Sequence, residues 1–330
     1  MRRAEQAMVP EAEFRSYYGQ PIIKPPIWHE PHMPVYLYLG GLSGAASVLA
    51  AAAGVTGHRR LALATRLTAV AGAAAGAGFL VAELGRPERF LNMLRVFKPT
   101  SPMSMGSWIL AAHSGLAGLA AVAALAPHLP DSAATAVLRF SPVAVALPAA
   151  GDAAAAAAAL TGPLMSTYTA VLLADTAVPA WHEAHRELPF LFAGSALAAA
   201  GAAGMLATPR AQAGPARAAA VLGAAAETVA GALMERRLGM LAEPYRVGKA
   251  GRRMRIARAL TAGGGLLAVV AGRGRALTAL SGLALTAGAL FTRFGVLAAG
   301  RASAADPKYT VVPQRRRLDD RAPASAETPG

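Results

Sequence analysis

The sequence predicts an all-α polytopic membrane protein, a bundle of about eight transmembrane helices. Three observations carry that expectation. Only 15% of the 330 residues are charged and 55% are hydrophobic, with a mean hydropathy of +0.39, whereas a soluble domain carries about 25% charged residues. Eight apolar stretches approach the ~20 residues that a ~30 Å hydrocarbon core requires. The cations, 32 Lys+Arg against 18 Asp+Glu, collect at one end of those stretches. Apolar spans with basic flanks explain this balance better than nucleic-acid binding does.

Taken in order, the spans read as Val35–Thr56, Leu61–Val81, Ser104–Ala126, Val145–Leu173, Pro189–Ala207, Arg217–Met234, Ala257–Ala271 and Ala276–Ala299. The stretch from Ser141 to Trp181 is too long for one straight helix and contains Pro163. It reads as one long, bent helix, because neighbours re-satisfy the backbone groups that proline frees in a membrane helix. Small residues dominate at GGLSGAAS (Gly40–Ser47), AGAAAGAG (Ala71–Gly78) and TAGGG (Thr261–Gly265), which lets helix backbones approach closely in lipid. Three regions follow: a surface strap over 1–33, an eight-helix domain over 34–300, and a tail over 301–330 that reads as solvated and partly disordered. A two-fold division into spans one to four and five to eight is only weakly marked.

With eight spans, both termini share one side with the segments 82–103, 174–188 and 235–256. That side holds about three times the cations of the other, which has Arg59, Arg60, Arg139, Arg210, Arg273 and Arg275. The positive-inside rule places both termini in the cytoplasm, with the chain in the inner (plasma) membrane. The first residues lack the apolar stretch of a signal peptide, so insertion through the helices themselves is expected.

Cysteine is absent, which excludes disulfides and thiolate-held zinc or iron–sulfur clusters in this chain. Bis-histidine haem needs two buried histidines on facing helices, and His113 alone sits clearly inside a span. His29 and His32 do not make a zinc centre by themselves. No haem, cluster or metal site is expected.

Ionisable side chains at membrane depth are candidates for function, and Glu83, Asp152, Asp175, Glu227 and His113 qualify; each also suits a cap or a polar partner. Tyr168 and Asp175 are seven apart, on one helical face two turns from each other. Ser166, Thr167 and Thr169 add polarity, and Trp181 and His182 follow at the interface. A phenol, a carboxylate and an imidazole suit a quinone head group, whose carbonyls need donors and protons. An aromatic belt with solvated histidines fits the same residues. The Pro-rich run Tyr17–Gly41 places Trp28, His29 and His32 before the first span, and Glu83–Trp108, with Arg86, reads as an interfacial loop.

Together YYGQPIIKPPIW, YLYLGGLSGAAS, LGRPERFLNMLRVFKPTSPMSMGSW, STYTAVLLADTAVPAWHEAHRELP and DPKYTVVPQRRR resemble the NrfD-like family, membrane subunits of polysulfide reductase-type molybdopterin complexes. The resemblance runs from about Tyr17 to Arg317. It implies a quinone-binding anchor without cofactors of its own, the quinone expected to be menaquinone. Its electron partner would be a four-cluster iron–sulfur subunit, and a molybdopterin subunit would handle the substrate. By motif, Tyr168 matches the family's pocket tyrosine, and His29 or His32 its polar residue before the first helix. Asp175, Trp28, Trp181, His182, Glu83 and Arg86 complete the expected site, with His113, Asp152 and Glu227 as candidates for a proton route. In polysulfide reductase the docking face lies outside the cytoplasm, whereas the arginine count here places these motifs inside. The alternative is a secondary transporter or proton channel using Asp152, Asp175, Glu227 and His113. Pro163 and Gly263–Gly265 would permit broken helices at the midplane, but the polar residues collect at one surface, which favours quinone chemistry.

Overall fold

The computed structural model describes residues 21–86, 88–128 and 142–319. Among these are eight helices long and apolar enough to cross a membrane, and no strand. They run His32–Val55, Arg59–Leu84, Pro102–Leu125, Pro142–Ala174, Leu188–Ala207, Gly214–Leu238, Gly248–Val270 and Arg275–Ala305. The expected spans are therefore all present. Pro142–Ala174 is a single helix with Pro148 and Pro163 inside it, and Thr167 Oγ1 donates to the Pro163 carbonyl at 2.8 Å.

Two boundaries move for a physical reason. The seventh span begins at Gly248, not Ala257, because the cationic run KAGRRMRIAR continues the helix where hydropathy alone stops. One of its arginines, Arg253, turns inward to a carboxylate (below). The last span extends to Ala305, and a further helix covers Lys308–Asp319. This part of the tail is thus not solvated coil: Tyr309 is buried and Lys308 Nζ lies 3.0 Å from Glu243. The remainder of the tail, and the strap before residue 21, lie outside the described residues.

The helices form two groups of four with the same internal pairing. In the first group, spans one and three each pack on both two and four; in the second, five and seven each pack on both six and eight. The division that was faint in the sequence is plain in the packing. Spans one and five join the groups. In them 72% and 67% of the apolar window is buried, against 28% in spans two and three, so one and five form the centre and two and three face lipid.

Small residues set the closest approaches. A Cβ on Gly44 would lie 2.3 Å from the Gly162 carbonyl oxygen, and one on Gly201 would lie 2.4 Å from the Ala220 nitrogen. Both are shorter than any real Cβ contact, so only glycine lets spans one and four, and five and six, meet there. One end of the bundle carries the strap, the segments 85–101, 175–187 and 239–247, and the terminal helix. The functional residues gather at this end.

Candidate functional site

Residues 21–30 are non-helical and lie across this end. Trp28 stacks on Trp181, with ring centroids 5.5 Å apart and planes 27° apart. Trp181 is itself fully buried, donates from Nε1 to the Val296 carbonyl at 2.7 Å, and lies against Gly300, where a Cβ would overlap its ring. Arg301 donates to the Trp28 carbonyl. Glu30 accepts from both terminal nitrogens of Arg253, at 2.7 and 2.8 Å, with Lys249 and Arg301 each 3.8 Å away. The Arg253 guanidinium holds the Glu30 carboxyl below the ordinary carboxylate range against the opposing effect of burial.

These contacts aim His29 at Glu83, the penultimate residue of the second span. One Glu83 oxygen accepts from the His29 backbone N–H at 2.8 Å and lies 3.3 Å from its Nδ1. The other is 3.7 Å from His32 Nδ1 and is buried without a hydrogen-bond partner. Deeper in, the hydroxyls of Tyr36 and Tyr168 hydrogen-bond to each other, both rings being buried. Tyr168 is six residues before the end of its helix, about 9 Å along the axis. A Cβ on Gly106 would lie 2.7 Å from the Tyr168 ring, so this glycine lets the phenol ring press close against the third span.

All of this encloses a cavity of about 300 Å³ whose walls include Trp28, His29, Tyr36, Glu83, Arg89 and Tyr168, with Met33, Leu80, Leu110 and Leu172 as apolar lining. It matches the size of a small-molecule site, mostly apolar with a few convergent polar groups. The unpartnered Glu83 oxygen and the phenol pair are the polar groups that converge on it. Among the described residues no three His, Cys, Asp or Glu side chains cluster as metal ligands do.

Of the expected site residues, the structure brings Tyr168, Trp28, His29 and Glu83 to this cavity. His32 approaches through Glu83, and Trp181 backs Trp28 without lining it. Asp175, His182 and Arg86 do not line it. Asp175 closes that helix, its N–H still bonding to the Val171 carbonyl at 2.9 Å, but its side chain is exposed and outside the cavity lining. His182 bonds through Nδ1 with the Ala174 carbonyl at 3.0 Å and faces a surface groove beside Tyr309. Arg86 follows the left-handed Gly85 that ends the second span and is exposed; Arg89 takes the place at the cavity.

The proton-route candidates are spread over both helix groups. His113 is fully buried, 3.1 Å from Ser43 Oγ and 2.9 Å from Thr161 Oγ1. Asp152 accepts from Arg66 at 3.0 Å and is 75% exposed. Glu227, in the other group, accepts from Thr292 at 2.5 Å and Thr261 at 3.2 Å at a second cavity of about 270 Å³.

Sequence reasoning missed Tyr36, Glu30, Arg253 and Arg293. Arg293 is 1% exposed, with its guanidinium 3.6 Å over the Phe192 ring and one nitrogen donating to the Phe192 carbonyl at 3.0 Å. An arginine inside an apolar span was the available signal. For Tyr36 and Glu30 there was none, since an aromatic residue and a carboxylate near a membrane interface are ordinary.

Fold and site together define a polytopic membrane protein with an amphiphile-sized cavity at one end of its first helix group. The chain belongs to the NrfD family: the family described as "Polysulphide reductase, NrfD" matches residues 21–243, more than half the chain and every residue around the Tyr168 cavity. It is therefore a membrane subunit of the kind found in polysulfide reductase-like complexes. No curated protein matches the chain.

Proposed function

We propose that the Tyr168 cavity binds a quinone head group, and that the protein exchanges electrons between the quinone pool, expected to be menaquinone, and an iron–sulfur subunit docked over the strap. A molybdopterin subunit would complete the complex. The observation that carries this reading is the convergence of a phenol pair and an incompletely satisfied carboxylate on one apolar cavity. When bound, a quinone supplies two-electron, two-proton redox chemistry. Tyr168 donates a hydrogen bond to a carbonyl oxygen, Tyr36 sets the direction of that hydroxyl, and Glu83 with His29 holds or releases a proton at the mouth. Leu80, Leu110 and Leu172 keep water from the head group.

The cations at the strap end make that end cytoplasmic under the positive-inside rule. Labelling of a single cysteine at position 310 from outside the cell would reverse this orientation.

Quinone binding to the purified chain, followed by quenching of tryptophan fluorescence, tests the site. Glu83→Gln and Tyr168→Phe should each weaken binding several-fold, and unchanged affinity in both would refute it. A translocating site is the second reading, favoured by Glu227 at the other cavity. Loss of proton movement with intact electron transfer in Glu227→Gln would support it.

A further inference from the structure

The cavity belongs to the first helix group, yet its roof is fastened to the second. Trp28 and His29 line it, but the neighbouring Glu30 is gripped by Arg253 of the seventh span. The Trp28 carbonyl is held by Arg301 of the eighth, and the Trp28 ring rests on Trp181. Trp181 is tied in turn to Val296 of the eighth span. Behind it, Tyr245 donates to the Ala180 carbonyl at 2.9 Å. Among the described residues, the strap's arginine contacts thus run to the seventh and eighth spans, while His29 ties it to the first group through Glu83 and through its own carbonyl, which accepts from the Met33 N–H at 3.0 Å.

We propose that Glu30, with Arg253 and Arg301, forms a latch by which the second helix group positions Trp28 and His29 over the cavity, making Glu30 a positioning residue for the ligand there. A bidentate carboxylate–guanidinium pair fixes direction as well as distance, and Glu30 adjoins His29 in the chain. Its loss leaves three cations facing the strap without a counter-charge, and on this side the strap keeps only the stack on Trp181 and the Arg301 bond to the Trp28 carbonyl among the contacts described. The inference rests on the quinone reading only for what the ligand is; the latch itself does not need it.

The natural absence of cysteine gives a direct test. Met33 is 4% exposed and lies in the cavity wall, so Met33→Cys reports access from the strap end through its rate of labelling by a water-soluble maleimide. Leu110→Cys serves as a second reporter on another helix. In the full-length chain, Glu30→Ala and Arg253→Gln should each accelerate labelling about tenfold, as expected for loss of a charge-assisted pair. Glu30→Asp should stay near the parent rate, and Arg246→Gln, a cation at the same end but away from the strap, should have no effect. Unchanged labelling in both Glu30→Ala and Arg253→Gln, at both reporters, overturns the latch. A short-chain naphthoquinone added to the parent reporter tests the ligand separately. If it fails to slow labelling while Glu30→Ala still accelerates it, the latch stands and the quinone reading falls. In the assembled complex Glu30→Gln should raise the KM for quinone several-fold with kcat within about twofold. A fall in kcat alone contradicts a positioning role.

Discussion

The phenol pair offers a test that separates structure from chemistry. Tyr36 and Tyr168 are 4% and 7% exposed and bond to each other through their hydroxyls. Tyr168→Phe removes one hydrogen bond, worth about 0.5–1.5 kcal/mol net, and leaves the Tyr36 hydroxyl buried without a partner, which costs about 1–3 kcal/mol. Tyr36→Phe does the converse. Changing both removes the pair cleanly, and replacing both partners by apolar groups of like shape is nearly neutral. Thermal unfolding in detergent should therefore show two destabilised single variants and a double variant closer to the parent than their sum.

Quinone turnover in the assembled complex should not follow that recovery. A carbonyl that loses its donor loses about two- to tenfold in rate, and the double variant has no hydroxyl to replace it. Turnover should stay low in the double variant while stability returns. If turnover recovers together with stability, the hydroxyls serve only the packing of spans one and four, and the proposed site is wrong.

Three further outcomes follow from the same geometry. Asp175→Asn and His182→Gln should leave turnover within about twofold, since neither side chain reaches the cavity; a loss above tenfold in the assembled complex would reinstate them. Gly201→Val should block folding, because even a Cβ would meet the Ala220 backbone at 2.4 Å, and overpacking costs about 1–3 kcal/mol or more where backbone must move; recovery of normal yield after purification would contradict it. Glu30 has its carboxyl below the ordinary value, so its contribution is fully present above that value and is lost as pH falls through the lowered one. Cavity access through the strap should thus be constant near neutrality and rise in acid, and a Glu30→Gln chain should lack that rise.

Much of the fold was legible in the sequence because lipid imposes a simple rule: span length follows from hydrophobic thickness, and backbone groups must be satisfied within each helix. The rule fails at the seventh span, where Arg252, Arg253 and Arg255 end the apolar window while the helix continues beneath them. It also fails in the tail, where burial of Tyr309 outweighs a solvated composition. The site was half legible. Tyr168, His29 and Glu83 stand out as polar groups near a span end, and the sequence suggested them. The spacing that pairs Asp175 with Tyr168 carries no information about where the cavity lies, and Asp175 stands exposed at the helix end, outside the lining. Tyr36 and Glu30 became visible only through tertiary contacts, one with a residue 132 positions away and the other with one 223 away.

Photolabelling tests the central claim most directly. A photoactivatable quinone cross-linked in native membranes, followed by peptide mapping, should place adducts on residues 27–36, 102–110 and 168–172, with competition by unmodified quinone and loss of the adducts in Tyr168→Phe. Adducts confined instead to the second cavity, around Leu191, Glu227 and Met254, would contradict the assignment of the quinone to the Tyr168 site.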